Sequence, residues 1–199
     1  MTGAWPLAAG EGWAPSPALQ AFLDAGPAPV YIGFGSMGDT DPARTTRIAL
    51  EALARAGRRG LIATGWGGLR ADALPDDVFA IDHAPHDWLF ARMAAVVHHG
   101  GAGTTHAVLR AGRGSVICPF FGDQPFWGRR VYALGAAPAP IAQRRLSAPA
   151  LAAAIEAATG DAVATRAQAL GARLREEDGV ATAVRCIGRL ARCTPRGRP

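Results

Sequence analysis

The chain has 199 residues, 49% hydrophobic and 19% charged, a balance that supports one globular domain with its own core and argues against disorder. The net charge of +5 rests on 21 basic residues, all arginine, dispersed in an Ala-, Gly- and Pro-rich background; this is the stamp of GC-rich coding, as in a high-GC bacterium, and it argues against a clustered nucleic-acid face. No apolar run reaches membrane-spanning length, and residues 1–10 lack a basic segment before an apolar one, so neither a transmembrane helix nor a signal peptide is expected and the expected location is cytoplasmic.

Residues 1–28 read as a packed leader, with Leu19, Phe22 and Leu23 marking a short helix and Trp5 and Trp13 too apolar to leave in water. A buried strand over 30–34 runs into Gly33-Phe34-Gly35-Ser36-Met37-Gly38, which spells the dinucleotide fingerprint G-x-G-x-x-G. Two features speak against a nicotinamide or flavin site there. The helix begins later, with Asp41 as N-cap and Pro42 in its first position, and the second strand, over 61–64, ends without the acid that a ribose requires. Helix 41–57, a third strand over 78–81 and a helix over 88–93 capped by Asp87 follow.

The next stretch carries the chemistry. A strand over 94–97 leads through His98 and His99 into Gly100-Gly101-Ala102-Gly103-Thr104-Thr105, after which Ala107, Val108 and Ala111 fall at helical spacing. Strand, glycine turn and helix start form an anion site, because unpaired N–H groups and the positive end of the helix dipole point at the ligand. Glycine lets the backbone come close, while the threonine hydroxyls and His99 can donate to phosphate oxygens. The expected diphosphate cradle therefore comprises His99, Gly101, Gly103, Thr104 and Thr105. One unit later, a strand over 115–119 delivers Asp123 and Gln124 to another strand end. An acid beside an amide suits the hydroxyls of a sugar.

The five histidines invite a zinc reading, but they lack a carboxylate or cysteine partner set, and adjacent His98 and His99 point opposite ways on a strand, so no metal is expected. Cys118, Cys186 and Cys193 show no C-x-x-C spacing and read as buried free thiols. A helix over 126–134 ending at Gly135 follows the Asp-Gln pair, and then a sixth short strand over 137–141. Helices over 148–158 (capped by Ser147), 163–176 and 180–192 complete the chain before a frayed tail, 193–199. The alternation predicts an α/β fold, a Rossmann-like doubly wound parallel sheet with its ligand at the carboxyl ends of the strands.

His98-His99-Gly100-Gly101-Ala102-Gly103-Thr104-Thr105, then Leu109-Arg110-Ala111-Gly112, then Pro119-Phe120-Phe121-Gly122-Asp123-Gln124-Pro125-Phe126-Trp127-Gly128 resemble the donor-binding signature of UDP-glycosyltransferases, in the branch of sterol glucosyltransferases and antibiotic glycosyltransferases. The resemblance runs from about Trp13 to about Leu190. It implies the donor half (29–192) of a two-domain GT-B architecture and an inverting transfer of a hexose, glucose from UDP-glucose, to a hydroxyl of a lipophilic acceptor such as a sterol or polyketide. It implies no cofactor beyond the UDP-sugar substrate. In the family, Ser36 and its neighbours approach the phosphates, and the uracil is held at 82–89, through backbone near Ala84 and stacking at His83. The family's general base lies in an acceptor half that this chain is expected to lack. The partner would then be a separate acceptor-domain chain, with a stand-alone nucleotide-sugar binding module as the alternative. One departure from the family pattern is Gly114 where proline is usual, which the sequence reading takes to loosen the turn.

Overall fold

The structure, a computed structural model, describes residues 2–6, 12–35, 41–64 and 74–193; Ser36, Trp66 and the tail from 194 lie outside the described residues. Among these, a five-stranded parallel sheet runs in the order β3-β2-β1-β4-β5, built from β1 (Val30–Ile32), β2 (Gly60–Ala63), β3 (Val78–Ile81), β4 (Ala95–His98) and β5 (Gly114–Ile117). β1 lies between β2 and β4, with Ile32 opposite Ile62 on one side and Val97 on the other. Both faces of these central strands are covered, which is why they read as continuous β-branched runs.

Alternate residues serve the two faces. Val30, Ile32, Ala95 and Val97 pack with α2 (Pro42–Arg55) and α6 (Ala148–Thr159), whereas Tyr31, Leu61 and Val96 pack with α1 (Pro17–Asp24), α3 (His86–Phe90) and α4 (Ala102–Arg110). Beyond β5, Ile117 joins Val131 of α5 (Gln124–Ala133) and Ala167 of α7 (Asp161–Glu176) in a third cluster. α8 (Gly179–Cys193) ends the described chain.

Local chemistry sets several boundaries. Asp41 caps α2 by accepting from the Arg44 N–H at 2.9 Å, with Pro42 in the first turn as expected. α3 starts two residues earlier than expected. Pro85 takes the N-cap position, and Asp87 sits inside the first turn, accepting from the Trp88 N–H at 2.9 Å. Ser147 does occupy the N-cap of α6, without a side-chain cap bond.

The expected sixth strand is absent. Ala136 and Ile141 touch β5 only at Ser115 N–H to Ala136 C=O (3.1 Å) and Ile141 N–H to Ile117 C=O (3.0 Å). Between them Pro138 and Pro140 have no N–H to donate, so the ladder cannot close. Gly114 is likewise not a loose turn. It opens β5, and a Cβ there would run into the Ala158 carbonyl at the end of α6. Glycine at this position is what lets α6 seat against the sheet.

Cys118 is buried, and burial pushes its thiol up to about 12, while Cys186 is exposed on α8, contrary to the expectation of buried thiols. Much of the arginine excess is spent at helix ends. Arg166 donates to the Leu134 carbonyl at 2.9 Å, Arg175 to Arg110 at 2.6 Å, Arg110 to Leu174 at 2.6 Å, and Arg113 to Ala91. Each cation meets carbonyls that carry the negative end of a helix dipole.

Of the two leader tryptophans expected to be packed, Trp13 lies edge-on against Trp88 with centroids 4.9 Å apart, whereas Trp5 is exposed, contrary to that expectation. The broader exposed apolar face belongs to α8, where Val180, Val184, Ile187 and Leu190 follow one another at helical spacing. No helix among the described residues is long and apolar enough to cross a membrane.

Candidate functional site at the strand ends

The strand order reverses direction between β1 and β4, and in an open parallel sheet the ligand crevice lies outside the carboxyl ends at that point. The two loops meet there. Gly33 N–H donates to the Val97 carbonyl at 3.0 Å, and the left-handed Gly35 (φ 63°) brings its backbone to His99, where a Cβ would sit 3.3 Å from Cε1.

β4 ends in His98, which is fully buried and accepts the Gly100 N–H on Nδ1 at 3.1 Å. The neutral ring therefore carries its proton on Nε2. Burial, with His99 and His86 nearby, pushes this imidazole down to about 3. The bond turns the chain sharply at Gly100 (φ 91°), where a Cβ would stand 2.8 Å from Ile117 Cγ2 and 3.2 Å from the Gln124 carbonyl. His98 and His99 do diverge, with ring planes 86° apart.

From this turn α4 starts with Gly101 as an extended N-cap and no side-chain cap, so the N–H groups of its first turn face the crevice without a side-chain partner. Gly103 is exposed, with nothing within 4 Å of where a Cβ would lie. His99 is half-buried against Gly101, whose missing Cβ leaves room for His99 Nε2, and its Nδ1 is buried without a hydrogen-bond partner. Burial lowers the His99 pKa, an effect the Asp123 carboxylate partly offsets. In the free protein His99 is thus a neutral donor, and an anion placed against it would draw its pKa back up.

Thr104 and Thr105 part company. Thr104 is half-buried at the helix start, whereas Thr105 is wholly buried with Oγ1 unpartnered, its N–H closing the first helical bond to the Gly101 carbonyl at 2.9 Å. Successive helical residues point about 100° apart, so only one of the two hydroxyls can face the ligand. Of the two, Thr104 is the one with its side chain partly open to solvent.

Asp123 and Gln124 divide similarly. Asp123 is exposed at the head of α5, and its Oδ2 accepts from Trp127 Nε1 at 2.8 Å. Trp127 in turn meets His106 of α4 edge-on at 5.4 Å, so the carboxylate is held toward the cradle by a residue to which the sequence reading gave no role. Gln124 is buried, and its Oε1 accepts from the Phe120 and Phe121 N–H groups at 2.8 and 3.3 Å. It pins the loop that presents Asp123. Of the two functions an amide can serve, the Oε1 acceptor is thus engaged within the loop.

After β3, His83 is exposed and Ala84 buried. Both line a cleft of about 870 Å³ with Pro85, His86, Gly103 and His106. Gly103, in the first turn of α4, thus borders this cleft. His86, absent from the sequence-derived set, lies flat on Phe90 with centroids 4.5 Å apart and 17° between planes.

The fold defines a class: a Rossmann-like α/β domain with a crevice at its topological switch point. Residues 66–183 match the family described as erythromycin biosynthesis protein CIII-like, C-terminal domain, and the chain belongs to this family of UDP-glycosyltransferase C-terminal domains. It is 49% identical over 174 residues to sterol 3-beta-glucosyltransferase UGT80A2 of Arabidopsis thaliana, covering 87% of this chain and 27% of that protein. To the sterol 3-beta-glucosyltransferase of Aspergillus fumigatus it is 43% identical over 202 residues, 95% of this chain and 14% of the relative. The chain thus spans about a quarter or less of the length of these relatives. Among solved structures, the glycotransferase of kitacinnamycin superposes with a TM-score of 0.73 at 27% identity, over 93% of this chain and 47% of that one. The calicheamicin glycosyltransferase CalG4 shares the fold with a TM-score of 0.74 at 23% identity, over 96% and 47%. These neighbours are GT-B glycosyltransferases.

Proposed function

We propose that this chain is the nucleotide-sugar half of an inverting glycosyltransferase, binding a UDP-hexose such as UDP-glucose and acting on a lipophilic hydroxyl compound, with the acceptor and the general base held by a further domain. One observation carries the reading: an uncapped helix start at the switch point, with His99 Nε2 set against its N-cap Gly101. The names of the relatives favour a sterol acceptor and a glucosyl donor. Inverting transfer needs charge stabilisation on the departing diphosphate and a base on the attacking hydroxyl. His99, the backbone of Gly101 and Gly103, and Thr104 supply the first, joined by the loop of Ser36 as the resemblance implies. Asp123 orients the hexose through its hydroxyls, from a loop held by Gln124. His83 and the backbone at Ala84 take the base.

Calorimetry with UDP on the 199-residue chain tests this directly. His99→Ala is expected to weaken UDP binding by about 1–3 kcal/mol, the worth of a hydrogen bond to a charged group. An unchanged affinity in a folded variant would remove His99 from the phosphate site. Asp123→Ala is expected to weaken UDP-glucose while leaving UDP nearly untouched, because the carboxylate faces the sugar; equal losses for both ligands would place its effect on the cradle or the fold.

A further inference from the structure

We propose that Trp5, seventy-eight positions before His83, forms the outer wall of the nucleobase end of the site, and that the segment of residues 2–6 acts as a strap closing the base into the cleft. The inference rests on the nucleotide-sugar reading above and adds a residue to it.

The strap is placed by backbone fit. A Cβ on Gly3 (φ 89°) would stand 2.9 Å from Glu177 Oε2, and one on Gly179 would strike the Ala4 carbonyl, so both glycines are needed for residues 3 and 4 to lie against the α7–α8 junction. This seat presents Trp5 to the cleft, which it lines with Ala4 and Pro6 alongside His83, Ala84 and Pro85. The indole is 65% exposed, and its Nε1 is already engaged with Thr2 Oγ1 at 3.2 Å. An indole left largely in water, with its polar edge satisfied and its apolar faces free of any ring partner among the described aromatic contacts, is suited to receive a flat ligand.

Length selects which flat ligand. The cleft runs along α4 from Gly103, in the anion cradle, to Arg110 and Ala111. Seven residues of helix rise about 10 Å, the reach of a ribose and base beyond the first phosphate. A nucleoside diphosphate anchored at the α4 start therefore delivers its base to the end where Trp5 and the exposed His83 stand. Arg110 and Arg175 also border this end, but their guanidinium groups are bound to the Leu174 and Arg110 carbonyls, which leaves aromatic surface as the recognition element. Stacking on such a wall tolerates any base and strengthens all nucleotides alike.

Calorimetry of the 199-residue chain and its Trp5→Ala and Trp5→Phe variants with UDP and with inorganic diphosphate tests the proposal, after thermal melts show that all three are folded. Loss of one stacking wall is expected to weaken UDP about tenfold or more in Trp5→Ala, with Trp5→Phe close to the parent and inorganic diphosphate unaffected by either change. UDP binding by Trp5→Ala equal to that of the parent overturns the strap while leaving the nucleotide-sugar reading intact. Parallel losses of UDP and inorganic diphosphate overturn it too, showing that the segment supports the cradle. A parent chain that binds neither ligand overturns both readings.

Discussion

Acidification from pH 6.5 to pH 3 is expected to remove on the order of 5 kcal/mol of stability through His98 alone. In the folded chain burial holds this imidazole down to about 3, against 6.5 for the free side chain. Above pH 6.5 both folded and unfolded states keep it neutral, and it costs nothing. Below pH 6.5 the unfolded chain takes up a proton that the folded one refuses, so stability falls by about 1.4 kcal/mol per pH unit until the folded pKa is reached. His99 and His86 are lowered in the same direction and steepen the slope. Denaturant unfolding at pH 7, 6, 5 and 4 reads the effect, with His98→Asn as the control: its amide oxygen can still accept the Gly100 N–H, and it has no proton to gain. The parent should lose stability over this range much faster than His98→Asn, and parallel curves would show that His98 is protonated in the fold. At pH 7, His98→Ala is expected to cost about 2–4 kcal/mol, from a cavity and an orphaned Gly100 N–H. Since that N–H sets the turn into α4, the same variant should also bind UDP more weakly.

What the sequence disclosed and what it hid follow one physical line. The sheet was legible because strands buried on both faces are rich in apolar residues, as β1 and residues 95–97 of β4 are. The false sixth strand came from the same signal. The run Ala137–Ile141 is apolar enough, but it fails on the missing donors of Pro138 and Pro140, a feature of single atoms and not of hydropathy. The strand, glycine turn and helix start from β4 to α4 were legible because they are set by adjacent residues, and adjacency is what a sequence records. The choice between Thr104 and Thr105 needed the phase of α4, fixed by the Gly101 cap. The loop-pinning use of Gln124 was hidden because an amide that suits a sugar hydroxyl equally suits two backbone N–H groups three and four residues before it. Gly114 was read as slack, and only the approach of the Ala158 carbonyl, forty-four positions later, shows that it is tight. Trp5 depends on partners far along the chain that no local pattern announces, whereas the bond from Trp127 to Asp123 spans only four residues. The apolar face of α8 was the one long-range feature open to reading, since Val180, Val184 and Ile187 already sit four and three residues apart.

The 199-residue chain by itself is expected to turn over UDP-glucose no faster than slow hydrolysis, with no efficient transfer to hydrophobic alcohols or sterols. Histidine is the side chain best matched to general-base work at neutral pH, and each of the five here is placed elsewhere. His98 is buried with Nδ1 occupied, and His99 stands inside the phosphate cradle. His86 lies flat on Phe90, His106 meets Trp127, and His83 lines the cleft. In the proposed nucleotide-sugar pose none would stand across the sugar from the diphosphate, where an attacking hydroxyl must lose its proton. Base assistance is typically worth about 10²–10⁴-fold, and positioning of the acceptor can exceed that. Adding the remaining portion of a full-length relative, as a separate chain or as a fusion, should therefore raise turnover by at least about 10²-fold while changing UDP affinity far less. The check is product formation from UDP-glucose and a sterol panel, with and without that added portion. Rapid multiple turnover by the 199-residue chain alone would defeat the expectation. It would point to Asp123, whose exposed carboxylate is held by Trp127 at the sugar end of the site, as the base.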